Sequence, residues 1–337
     1  MLTSVLNGGK PISEELYQRY ADNFRHAVDA VPMSDEDLAA QWRANVSRFA
    51  AYKAFHATNE LRITAEEEGG DLDILQAVLH KYNRYQTVEY NTAVARARTG
   101  KQWQQFNEAD NRRLFPCIKW LPSRSASPRE EHMPFYNRIW SKDDPFWNTN
   151  QPGTLWNCKC DWEQTDEEPT ENNPTSNITK PGLDRNPATS GQIFTDTAPY
   201  IKKAPKEVLI YAICTEREIF RKIHKNDEIT FNTEIGDILI DDITYQEVSK
   251  GAKTDKSYFY KLEIVQRFDK YIDKLVLLNP NETIDLTHNN HRSRFFQRKK
   301  LFKCMQVYKL KINDFEFQVK LGKFVDGSLH LYSITEP

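Results

Sequence analysis

The sequence predicts a multidomain α+β protein. A mainly helical N-terminal domain runs into an irregular Trp/Pro/Cys-rich segment, and an α+β domain follows in which helices precede an antiparallel β-meander. Three observations carry this. Apolar residues recur at helical spacing through the first hundred positions. Prolines and tryptophans break that spacing from about position 106. Apolar runs separated by Asn-Asp and Asp-Gly close the chain. With 337 residues the chain is long enough for two domains, each with its own core.

The first helix signals are Ser13-Glu14-Glu15-Leu16 and Ser34-Asp35-Glu36-Asp37-Leu38, each a capping side chain followed by acids. Val46, Phe49, Ala50, Phe55 and Leu61 then repeat at helical spacing. So do Leu75, Val78, Leu79, Tyr82, Tyr85, Val88 and Val94. Two long amphipathic helices that pair with each other satisfy both runs. Between positions 106 and 162 the period is lost, and Trp120, Trp140, Trp147, Trp156 and Trp162 stand among prolines. A segment this irregular needs aromatic packing or a metal to stay compact. Residues 165–190 are rich in Pro, Asn, Thr and acid, a linker composition that predicts little regular structure. The expected divisions are a helical domain over 1–165, a linker over 166–203 and an α+β domain over 204–337.

In that last domain, residues 207–213 read as a strand or short buried segment and residues 215–224 as a short helix. Apolar pairs gather around Ile238, Leu239 and Ile240. Tyr258, Leu262, Val265 and Phe268 give residues 255–273 helical period, with Asp255 as the expected N-cap. Strands are expected over 301–312, 315–321 and 329–334, joined by turns at Asn313-Asp314 and Asp326-Gly327.

Composition excludes several classes. Hydrophobic residues make up 39% and charged residues 28%, as in an ordinary soluble protein. Only 12 glycines argue against glycine-rich nucleotide-binding folds. No run approaches the roughly 18 apolar residues of a membrane span, and the first residues lack a secretory pattern. Five scattered cysteines do not form a disulfide framework, which predicts synthesis in a reducing cytoplasm. Net charge is −2, yet from Arg292 to Lys311 there are eight cations and no acid.

Two constellations carry chemistry. Cys158-Lys159-Cys160, with Cys117 and His132 upstream, offers the soft ligands that a structural zinc gathers in a tetrahedron. The same residues also fit buried, reduced cysteines in an aromatic cluster. The second constellation is the basic strip. Arg292, Arg294, Arg298, Lys299 and Lys300 are interleaved with Phe295, Phe296 and Phe302. Cations bind phosphate, and aromatic faces stack on unpaired bases. His288 and His291 precede the strip, and His330, Tyr332 and Ser333 lie in the last strand. Metal-free RNA cleavage needs a base, an acid and cations to answer the phosphorane charge, and these residue types supply them. A solvated face with ordinary core aromatics fits the strip equally well.

Tyr90-Asn91-Thr92-Ala93-Val94 with Arg96 and Arg98, Arg129-Glu130-Glu131-His132, and Asp143-Asp144-Pro145-Phe146-Trp147 with Pro152, Trp156 and Cys158-Lys159-Cys160 form an ordered set. Asn186-Pro187, Ile193-Phe194-Thr195-Asp196 and Pro199-Tyr200 complete it. In order and spacing this set resembles the minor head, or head-morphogenesis, proteins of Mu-like phages, over about residues 49–200. Ser125-Ala126-Ser127-Pro128 departs from the family's acid before the Arg-x-x-His. Pro152-Gly153 departs from its paired prolines, and Lys159 from its arginine. The resemblance implies a virion protein of the capsid interior or portal region, with the portal and major capsid proteins as partners and no membrane.

The pattern of residues 204–337 resembles the superfamily of the barnase, EndoU, colicin and RelE nucleases. That implies a metal-independent ribonuclease acting on RNA, with tRNA as one expected substrate and no cofactor. His288 or His291 would then be base or acid, Arg292, Arg294 and Arg298 would hold phosphate, and Tyr332 or Ser333 would contact substrate. The alternative is a non-catalytic module that binds nucleic acid or a capsid partner.

Overall fold

The computed structural model describes residues 6, 9–223, 228–250, 254–282 and 302–337. The fold class is α+β, as the sequence predicts. The chain divides into two compact units, Met1–Val208 and Leu209–Pro337. Among the described residues no helix is long and apolar enough to cross a membrane.

The first unit is built on three helices, α1 (Glu14–Asp29), α2 (Glu36–Glu67) and α3 (Leu72–Phe106). Ser13 caps α1, Asp35 caps α2 and Asp71 caps α3, each accepting backbone N–H groups of the first turn. Gly69 and Gly70, both at positive φ, turn the chain between α2 and α3. The two long helices pack as an antiparallel hairpin and α1 lies against both. From Leu38 to Ala54 every residue of α2 is buried except Gln41, so this stretch is surrounded by protein rather than one-faced. Gly100 on α3 makes room for Trp42, whose ring would lie 2.6 Å from a Cβ at that position.

The Trp-rich segment is a small three-stranded sheet. Short helix α4 (Ala109–Leu114) leads into β1 (Cys117–Leu121), which pairs with β2 (Ile139–Ser141) on one side and β3 (Asp161–Thr165) on the other. Its core is Ile118, Trp120, Phe135, Trp140, Phe146, Trp147 and Trp162. Trp140 and Phe146 stack at 4.3 Å, and Trp120 and Trp147 lie nearly parallel at 6.3 Å. Aromatic packing thus holds the segment together, as its irregularity requires.

Residues 166–203 contain only two four-residue helices, α5 (Pro187–Ser190) and α6 (Pro199–Lys202). They are packed all the same, with Leu183, Ile193, Phe194 and Ala198 fully buried.

The second unit starts with helix α7 (Val208–Ile223). Of the strand or short buried segment expected over 207–213, the strand is corrected: the apolar run continues into 215–223 as one helix. β4 (Glu228–Thr233) and β5 (Gly236–Asp241) form a hairpin, followed by α8 (Asp242–Lys250) and α9 (Asp255–Gln266). Thr254, one residue ahead of the expected cap Asp255, caps α9 through a reciprocal box with Ser257. A 3-10 turn leads to β6 (Val276–Glu282), and β7 (Phe302–Ile312), β8 (Phe315–Phe324) and β9 (Leu329–Thr335) complete the sheet. The strand order is β4-β5-β9-β8-β7-β6. The meander β7-β8-β9 stands where the sequence places it, turning at Asn313 (φ 50°) and Gly327 (φ 88°). β4, β5 and β6 extend it, and β5 pairs with β9 in parallel.

Candidate functional site

His132 lies in a 3-10 turn, Glu130–Phe135, that follows β1, and Cys158-Lys159-Cys160 leads directly into β3. The β1/β3 pairing therefore brings two stretches about 26 residues apart in sequence to one point. His132 is fully buried. Its Nδ1 lies 3.5 Å from Cys158 Sγ and 3.6 Å from Cys160 Sγ. Its Nε2 faces Thr154 Oγ1 at 3.4 Å, and that hydroxyl donates to the Gln151 carbonyl at 2.9 Å. With its own proton so committed, Thr154 acts as acceptor, which places the imidazole proton on Nε2 and leaves the Nδ1 lone pair toward the sulfurs. The Trp120 ring packs edge-on to the imidazole at 5.1 Å.

The sulfurs are unequal. The Cys160 thiol, with the Cys160 N–H at 3.4 Å, pulls the Cys158 thiol well below its ordinary value. Cys158 in turn, together with burial, drives Cys160 up. The Trp120 indole and Tyr136 hydroxyl both favour the Cys160 thiolate, and neither polar atom has a hydrogen-bond partner of good geometry. Trp147 and Trp162, by contrast, donate to Ser141 O and Gln102 Oε1.

Three of the four expected ligands are thus together, and they are the one group of this kind among the described residues. Cys117 does not join them. It is three positions before Trp120 on β1, and side chains an odd number apart on a strand point to opposite faces. Trp120 faces His132, so Cys117 faces away, where the charges of Glu168 and Lys142 bear on its thiol.

Cys158 and Cys160 form part of the wall of a groove of about 890 Å³ between the end of α1, the last turns of α3 and residues 157–161. Arg98, Lys101, Arg124 and Lys159 also line it, against the single acid Asp161, which pairs with Arg124 at 2.8 Å.

The other residues of the ordered motif set do structural work. Arg96, with no solvent exposure, donates to the carbonyls of Ile193 (2.6 Å), Leu183 (3.1 Å) and Arg185 (2.6 Å). Asn45 brackets the Phe194 backbone with two bonds of 2.9 Å. Trp42 donates to Pro187 O, Arg48 pairs with Asp196, and His56 meets Tyr200 O. Beside them lies a pair that periodicity does not reveal. Lys53 is buried under the rings of Tyr20, Tyr82 and Tyr200 and is bonded to Glu89. Burial pulls the Lys53 ammonium down and pushes the Glu89 carboxyl up, and each partner opposes the other's shift.

In the second unit, His288, His291, Arg292, Arg294, Arg298, Lys299 and Lys300 lie outside the described residues. Tyr332 and Ser333 are on β9. Ser333 is buried opposite Lys320, and Tyr332 occupies a bulge between Leu331 and Ser333. Burial and the charge of Glu247 raise the Tyr332 hydroxyl, which keeps it protonated. His330, two residues before Tyr332, meets Asp241 of β5 at 3.2 Å, both almost fully buried. Asp241 also accepts from Thr244 N, and the Thr244 hydroxyl donates to Leu331 O at 2.5 Å. This network ties β5 to β9 at their parallel pairing.

No protein-family model and no solved structure matches the chain. It is similar to the putative capsid assembly protein F of Escherichia phage Mu, with 34% identity over 61 residues. That stretch is 18% of this chain and spans 13% of the Mu protein.

Proposed function

We propose that this chain is a phage or prophage minor head protein that works in head morphogenesis. The similarity to the Mu capsid assembly protein carries the reading. The motif set supports it, because its Arg96 on α3, with Asn45 and Arg48 on α2, binds the closing segment that holds Phe194 and Asp196. The α2–α3 hairpin is about 50 Å long at 1.5 Å per helical residue, a scaffold suited to contacts between large partners. Its partners are the portal and major capsid proteins, and its place is the virion, at the capsid interior or portal. Deleting the gene in frame from the phage is expected to stop head assembly and plasmid complementation to restore it. Full, infectious particles from the deletion would refute the role.

The finer part of the proposal is that residues 204–337 cleave RNA without a metal. Support comes from the α+β architecture, the cations Lys303, Lys309 and Lys311 on β7, and the protonated Tyr332 hydroxyl on β9. The intact chain is expected to make discrete cuts in total tRNA in the presence of EDTA. A His288→Ala/His291→Ala double variant is expected to lose them. An inactive parent at protein excess would remove the catalytic reading and leave the head role standing.

A further inference from the structure

We propose that His132, Cys158 and Cys160 bind one zinc ion, with solvent from the adjoining groove as its fourth ligand. The geometry of the three donor atoms carries this. Zinc binds thiolate at about 2.3 Å and imidazole nitrogen at about 2.0–2.1 Å, and at the tetrahedral angle these lengths set the S···N edge at about 3.6 Å. Both observed S···N edges, 3.5 and 3.6 Å, have that length. All three donor atoms lie within 4.8 Å of one another.

The surroundings are those of a ligand set. Thr154 fixes the histidine tautomer that presents Nδ1, the outer-shell hydrogen bond that metal-bound imidazoles require. The Cys160 N–H donates to Cys158 Sγ at 3.4 Å, and Trp120 packs edge-on to His132 at 5.1 Å. The buried Trp120 N–H has no hydrogen-bond partner, and a thiolate held by a cation gives it one. Two sulfurs and one imidazole select zinc over the hard cations, which take oxygen ligands. Among the described residues no further His, Cys, Asp or Glu joins the group at the fourth corner. Cys158 and Cys160 line the groove, so solvent reaches that corner.

This site is independent of the head and nuclease roles and is tested on the full chain. After dialysis against metal-free buffer, the purified protein is expected to retain about one equivalent of zinc, and less than about a tenth of an equivalent overturns the proposal. Cobalt exchanged into the site is expected to give intense tetrahedral d–d bands and a thiolate charge-transfer band. An octahedral spectrum without that band refutes the ligand set. Adding cyanide is expected to shift the d–d bands, and an unchanged spectrum refutes the solvent ligand. Cys158→Ser and Cys160→Ser are each expected to weaken metal binding at least about tenfold. Cys117→Ser is expected to bind like the parent, and a loss there would bring back the four-ligand set and overturn this one. The parent spectrum does not depend on whether a variant folds.

Discussion

At the scale of single residues, the first unit stores its most costly interactions in polar side chains. Lys53 and Glu89 form a buried pair, and removing one partner of such a pair costs about 3–5 kcal/mol. Lys53→Met is expected to destabilise the unit by that order at about pH 7. The sign with pH follows from Glu89. Burial raises its carboxyl, and Lys53 holds it back down. Without Lys53 the folded value moves further above the unfolded one, so the folded state takes up a proton as pH falls. The deficit is therefore expected to shrink between about pH 7 and about pH 5, read as urea midpoints beside the parent. A pH-independent deficit would contradict it. Gly100→Ala tests packing. The new methyl would press on the Trp42 ring, and overpacking of about 1–3 kcal/mol outweighs the roughly 1 kcal/mol that alanine adds to helix propensity. Thermal midpoints of the two proteins check this. These residues also mark the limit of what periodicity reveals. The inward face of α3 includes Tyr82, Gln86, Glu89, Ala93, Arg96 and Gly100; hydrophobic spacing selects the buried Leu75 and Tyr82 but also Val78, Tyr85 and Val88, which lie outside that face. A charged residue at an inward position reads as surface until its partner is known. His132, Cys158 and Cys160 were legible because metal-like residue types are rare and clustered. Cys117 was misplaced because strand parity was not visible where no strand was expected.

At the scale of elements, the segment over 182–200 has almost no secondary structure of its own, and its order comes from side chains of α2 and α3. Its composition predicts the irregularity correctly but not the packing. Asn45→Ala is expected to free the Phe194 amide for hydrogen exchange while amides in the middle of α2 stay protected. The cost is about 1–3 kcal/mol for the buried groups left without a partner. Equal protection in both proteins would show that the segment holds itself. Zinc at His132, Cys158 and Cys160 would join the turn after β1 to the start of β3. Stripping the metal is expected to lower the unfolding midpoint of the first unit alone. Elsewhere, element legibility followed signal strength. Strong alternation and turn residues mark β7, β8 and β9. The short apolar run at 207–213 fits either state, and tertiary context made it helix. β6 was hidden because Val276-Leu277-Leu278-Asn279-Pro280 lacks alternation and carries a proline.

At the scale of the molecule, two compact units with separate cores should unfold in two steps. Gly100→Ala is expected to move only one transition in a calorimetric scan, and a single shifted peak would show that the units melt together. The second unit's sheet is open, and its β6 edge bears on how copies of the chain behave toward one another. Val276, Leu277 and Leu278 are 60%, 48% and 53% exposed, and among the described residues no strand pairs with the outer side of β6. Two register breaks against β7 and the missing N–H of Pro280 spoil the rim as a template for another strand. Replacing Pro280 with valine would restore a donor to that rim and is expected to make light scattering rise with protein concentration while the fold itself stays intact.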